Sequence, residues 1–109
     1  MKKNIPIQDY AHASAMIMHH ILSMGDLWQS LHEIASKRQK GWVELNLDIG
    51  ELAITYEEYW QGLPQDEQDK VEWLEGIFEL AVIIADHYEN EIPWDDTARE
   101  ACERVRNRR

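Results

Sequence analysis

Cysteine is almost missing from this 109-residue chain: Cys102 stands alone. That excludes an internal disulfide framework and suits a reducing compartment. No apolar run is long enough to span a bilayer. Gln8, Asp9, His12, His19 and His20 break up the stretch behind Met1-Lys2-Lys3 that would otherwise imitate a signal peptide. There is no internal repeat, no low-complexity tract, no strand-like alternation, no glycine-rich phosphate loop and no Ser or Cys nucleophile with a partner triad. Cations are scarce as well. Eleven Lys and Arg stand against 21 Asp and Glu, a net charge of −10, which argues against direct nucleic-acid or anionic-membrane binding. What is present is enough for one core: 44% hydrophobic residues and five tryptophans. A soluble cytoplasmic protein of one domain is the expectation.

The periodicity is helical throughout, so the expected fold is all-α, a bundle of four to five helices. Residues 1–5 read as a loose arm, and Pro6 suits a first helical turn. Ile7, Tyr10, Ala13 or Ser14, Ile17 and Ile21 then carry a helix to about Ser23. Gly25-Asp26 is a break and a cap. Leu27, Leu31, Ile34 and Ala35 share one face of a helix ending near Arg38, with Gly41 as its stop. A third helix spans about Trp42 to Trp60 and ends at Gln61-Gly62-Leu63-Pro64. Asp66-Glu67 open a fourth, expected to run unbroken to about Tyr88. Glu91-Ile92-Pro93 is a loop, and a last helix begins near Trp94 or Asp95. His12, His19 and His20 lie on one side of the first helix, but no nearby cysteine or carboxylate completes a metal set, and exposed or hydrogen-bonded histidines are the commoner outcome.

Two acidic words dominate the second half, Asp48-Ile-Gly-Glu51 and Glu72-Trp-Leu-Glu75. Each sets two carboxylates three residues apart, on one helix face. Glu44, Asp48, Glu51 and Glu58 fall in a strip roughly 80° wide, and Glu72, Glu75, Glu79 and Asp86 in one of about 60°. The rest of both helices is largely apolar, the reverse of an ordinary surface helix. Such helices are expected to be buried, and buried carboxylates need cations. Oxygen-only ligands point to Mg²⁺, Mn²⁺ or Ca²⁺ held between the two ribbons. Gly50, inside the first word, costs about 1 kcal/mol relative to alanine and implies a close approach by another helix or a ligand. Basic residues collect at Lys37-Arg38-Gln39-Lys40 and in residues 97–109, where five arginines face two glutamates. They read either as compensation of helix C-termini or as phosphate ligands.

The run Asp48-Ile-Gly-Glu51-Leu52-Ala53, followed some twenty residues on by Glu72-Trp-Leu-Glu75, resembles the E-x-x-E…E-x-x-D signature of the all-α nucleoside triphosphate pyrophosphohydrolases, the superfamily of MazG, dimeric dUTPases and dCTP pyrophosphatases. The likeness covers about residues 26–109, a MazG-like helical core, with 1–25 as an N-terminal arm and helix. Three positions depart from the pattern. Asp48 stands where the family usually has Glu, Glu75 where it has Asp, and Glu103 where many members have Lys four residues before the final Asn.

The resemblance implies a Mg²⁺-dependent (Mn²⁺ possible) hydrolase that splits a (d)NTP into monophosphate and pyrophosphate. Asp48, Glu51, Glu72 and Glu75 would hold the metals, with Glu51 and Glu72 as the catalytic pair and Glu51 orienting water. Glu44 and Glu79 would support them from behind. Lys37, Arg38, Lys40, Arg104, Asn107 and Arg108 would contact phosphates, and Trp28, Trp42 or Trp73 would offer a slot for the base. The family's dimers or tetramers imply a homo-oligomer. The competing reading is a non-enzymatic acidic helical binding protein or inhibitor, or a degenerate relative without turnover. Convergence of the two acidic pairs on one cleft favours the enzyme; divergence toward solvent favours the binder.

Overall fold

The computed structural model describes residues 7–108, with side chains from Tyr10 onward. The expected arm at 1–5 and the role of Pro6 lie outside those residues. Within them the chain forms six α-helices: α1 (Ile7–Ser23), α2 (Gly25–Lys37), α3 (Trp42–Gln61), α4 (Gln65–Lys70), α5 (Trp73–Glu89) and α6 (Trp94–Asn107). No strand occurs among the described residues. The fold is all-α, as the periodicity implied.

Four long helices make the bundle. α1 and α6 each pack against both α3 and α5, which puts α3 and α5 across the diagonal from one another, while α2 lies mainly against α5. The core is built from the apolar stripes of these helices. Ala13, Ile17 and Ile21 come from α1, Leu45, Ile49, Leu52 and Ala53 from α3, Ile77, Leu80 and Ile84 from α5, and Ala98, Ala101 and Val105 from α6. Fully burying one Leu or Ile side chain contributes roughly 1.5–3 kcal/mol, so these rows hold the bundle. Tyr56 crosses the diagonal. It is fully buried, its hydroxyl donates to the Trp73 carbonyl at 2.8 Å, and its ring lies against Gly76.

Two boundaries differ from expectation. The single helix expected over Asp66–Tyr88 is broken at Val71-Glu72, where ψ turns to 88° and 135°. Tertiary contacts outweigh propensity there. Val71 is fully buried, its carbonyl accepts the Trp60 indole N–H at 2.7 Å, and the Tyr56 hydroxyl anchors the Trp73 carbonyl two residues on. Glu72 is therefore the residue before the first turn of α5 rather than an interior helical position. The stop of α2 is not Gly41, which instead caps α3. Gln39 takes the left-handed conformation (φ 58°), and the Lys40 N–H reaches back to the Ala35 carbonyl at 2.8 Å. Glu91 (φ 56°) ends α5 in the same way, with the Ile92 N–H on the His87 carbonyl at 2.9 Å.

Candidate functional site

Gly50 is explained by packing. A Cβ there would stand 2.5 Å from the Tyr10 hydroxyl of α1, so the close approach comes from a neighbouring helix. The carboxylates around it diverge. Asp48 faces α5 near its C-terminal end, where it accepts from the Lys40 ammonium at 2.9 Å and the Tyr88 hydroxyl at 2.7 Å. Burial, and then that hydrogen bond, push the Tyr88 phenol above its ordinary value. Glu51 is exposed and lines a shallow cleft with Ile54, Thr55 and Trp94. Glu72 is exposed at the start of α5. Glu75 lies 13 residues before Tyr88, roughly 20 Å along α5. There Arg108 approaches it at 3.9 Å and Glu79 at 3.6 Å.

The two acidic words thus sit on diagonal helices and toward opposite ends of α5. Among the described residues, no three His, Cys, Asp or Glu side chains are gathered closely enough to share a metal ion. The carboxylates as placed in one chain do not fit a divalent centre held between two ribbons. Asp48, the most enclosed of the four, has oxygen Oδ2 taken by an ammonium and a phenol.

The remaining sequence candidates have local partners. Glu44 accepts from the Gly41 N–H at 3.0 Å, one half of a capping box whose other half a glycine cannot supply. Arg38 donates to the Glu89 carbonyl at the end of α5, and Arg38 and Lys40 both stand over the Tyr88 ring, at 5.3 and 5.4 Å from its centre. Arg104 pairs with Glu100 at 3.3 Å. Lys37 and Asn107 are exposed. Trp28 and Trp42 meet edge to face at 5.1 Å, with His32 against both. The histidines of α1 do not assemble: His12 stacks on Trp73 and His20 on Phe78.

Besides the cleft at Glu51, two concave sites stand out among the described residues. One, of about 270 Å³, brings Arg38, Lys40 and Asp48 beside Tyr88, which stacks on Trp94. The other, of about 260 Å³, is lined by His12, Glu57, Trp60, Gln61 and Trp73. Glu57 is only 2% exposed. Its two oxygens accept from the Trp73 indole N–H and from the Gln61 amide at 3.3 Å. Attention to the aligned acids passes over this residue, yet a signal was there. Glu57 continues the apolar positions Leu45, Ile49 and Ala53 at four-residue steps, which sets a carboxylate on the core-facing side. His87 was also missed. Buried on α5, it bridges Thr97 and Glu100 of α6, each at 3.0 Å.

Comparison with known protein families, with curated proteins and with solved structures finds no match to this chain.

Proposed function

We propose that this protein works by binding: it is an acidic helical module that presents carboxylates to a basic surface on a protein partner. The observation supporting this is the divergence of Asp48-Glu51 and Glu72-Glu75 on diagonal helices. The chain's cations add to it. Arg99, Arg104, Arg106 and Arg108 each approach an acid of the same chain, and Lys40 is held by Asp48. Exposed acids such as Glu51, Glu72 and Asp86 carry the net −10 outward, which steers association with a cationic surface and makes it salt-sensitive.

A second reading, the Mg²⁺-dependent (d)NTP pyrophosphohydrolase, is favoured by one cleft: Arg38 and Lys40 beside Asp48, with the Tyr88–Trp94 stack as a platform. Because one chain does not gather the four acids, this reading requires a homo-oligomer in which copies complete each other's acidic sets. Exposed Val43, Leu47 and Val82 would be covered there. The deciding experiment follows pyrophosphate release from the eight common (d)NTPs with Mg²⁺ or Mn²⁺, beside melting curves across a metal titration. The binding reading expects no turnover and a flat melting temperature. Turnover abolished by Glu51→Gln or Glu72→Gln would overturn it.

A further inference from the structure

We propose that the outward face of α3 docks a basic amphipathic helix from a protein partner. The inference rests on the binding reading and names both the surface and the kind of partner. At 100° per residue, Val43, Leu47, Glu51, Ile54 and Glu58 fall within a strip roughly 80° wide. It lies opposite the core positions Leu45, Ile49, Leu52 and Tyr56. Val43 and Leu47 are 63% and 64% exposed, Glu51 is exposed, and Ile54 and Glu58 are half-buried. Three apolar side chains thus follow one edge of the strip and two carboxylates the other. Beside the acids the surface hollows: Glu51, Ile54 and Thr55 meet Trp94, from the first turn of α6, around a cleft of about 350 Å³.

Shape and charge select the occupant. No strand occurs among the described residues, so they offer no sheet edge to an extended peptide. A helix laid along α3 can instead seat apolar side chains from successive turns on the row from Val43 to Ile54, roughly 17 Å long. The carboxylates one step round the helix then require cations on the flank of that partner. A second copy of this chain answers poorly. It carries a further −10 and would bring the same two acids to the same row, where like charges oppose association. Its arginines are engaged at home, since Arg99, Arg104, Arg106 and Arg108 each approach an acid of their own chain. The acids speed the encounter, and the apolar row discriminates an amphipathic helix from a chain that is merely basic.

The test uses the whole chain and three fluorescein-labelled peptides of about 18 residues, or five helical turns. The first sets leucines at helical spacing on one face with lysines elsewhere. The second scrambles the same composition, and the third replaces lysine by glutamate. Anisotropy should show saturable one-to-one binding of the first, at least tenfold weaker binding of the scrambled peptide, and none of the glutamate peptide. Val43→Ser with Leu47→Ser should weaken the first at least tenfold. Glu51→Gln with Glu58→Gln should weaken it too and flatten its salt dependence. If either pair fails to fold, ¹⁵N amide shifts of the unaltered chain locate the site, and they should be largest along residues 43–58. Shifts centred elsewhere, or equal binding of the ordered and scrambled peptides, would overturn the docking face while leaving the general binding reading standing. Failure of both basic peptides to bind would refute the two together. A dimer in sedimentation equilibrium that Leu47→Ser converts to monomer would overturn the assignment to a partner and give the face to a second copy.

Discussion

Replacing Gly76 by alanine sets two effects of known size against each other. In a helix interior the change gains about 1 kcal/mol of propensity. Against it stands Tyr56: the new Cβ would meet the Tyr56 hydroxyl and lie 2.7 and 2.8 Å from two ring carbons. That ring is fully buried and its hydroxyl is held by the Trp73 carbonyl, so it has nowhere to swing. Overpacking of this kind costs about 1–3 kcal/mol, and losing the hydroxyl's bond adds about 1 kcal/mol more. The net expectation is destabilisation by about 1–3 kcal/mol, or roughly 4–15 °C in melting temperature for a domain of this size. Gly50→Ala is the internal control. Its Cβ would press only on the end of the half-buried Tyr10 side chain, which can move aside, so the propensity gain should leave stability unchanged or slightly raised. Urea unfolding followed by circular dichroism at 222 nm measures both. A Gly76→Ala variant as stable as the parent would refute the diagonal packing of Tyr56. So would a Gly76→Ala loss of equal size in a Tyr56→Leu background, since coupled neighbours must be non-additive.

Two further outcomes follow from the described geometry. Gln39→Gly and Glu91→Gly remove side chains from left-handed backbone and should each stabilise by up to about 1 kcal/mol; a drop in urea midpoint for both would contradict these helix ends. Burial pushes the Cys102 thiol up to about 12 from 9.0, and burial raises Tyr56 as well. Groups raised on folding stabilise fully below their unfolded values, and that stability is lost as pH climbs toward the folded ones. Between pH 9 and 10 the thiol of the unfolded chain titrates ahead of its phenols, so stability should fall by up to about 1.4 kcal/mol per unit, and Cys102→Ala should flatten that slope. Unfolding curves at pH 8, 9, 10 and 11 measure it; an unchanged slope in the variant would refute the burial of the thiol.

The helical architecture was legible because periodicity reports burial directly. Ile17 and Ile21 of α1, and Leu31, Ile34 and Ala35 of α2, are core residues at the spacing that suggested them. Gly50 was legible as a point of close approach, though not whether a helix or a ligand made it. The break at Val71-Glu72 was not. Nothing local forbids a helix through Lys70-Val71-Glu72-Trp73; the turn is imposed by Trp60 and Tyr56, partners 11 and 17 residues away from the carbonyls they hold. Pairing of the ribbons was equally beyond periodicity, which fixes the face of each helix but not which helices become neighbours. Insertion of α1 and α6 between α3 and α5 is a tertiary choice.

The step from a narrow acidic ribbon to a buried acidic ribbon fails for a definite reason. In a four-helix bundle a helix buries only the positions facing its neighbours, and apolar residues elsewhere stay in water. On α3, Val43 and Leu47 remain 63% and 64% exposed, while Leu45, Ile49, Ala53 and Tyr56 are enclosed. An excess of apolar residues around a helix therefore says little about the side carrying the acids. The carboxylate that folding does enclose lies off the ribbon, on the core-facing row, and burying an ion costs on the order of several kcal/mol unless donors surround it. Trp73 and Gln61 are such donors, and they hold the charge at the floor of a cavity rather than within solid packing. Enclosure of Glu57 thus follows from its place on the core-facing row, not from the spacing of the aligned acids.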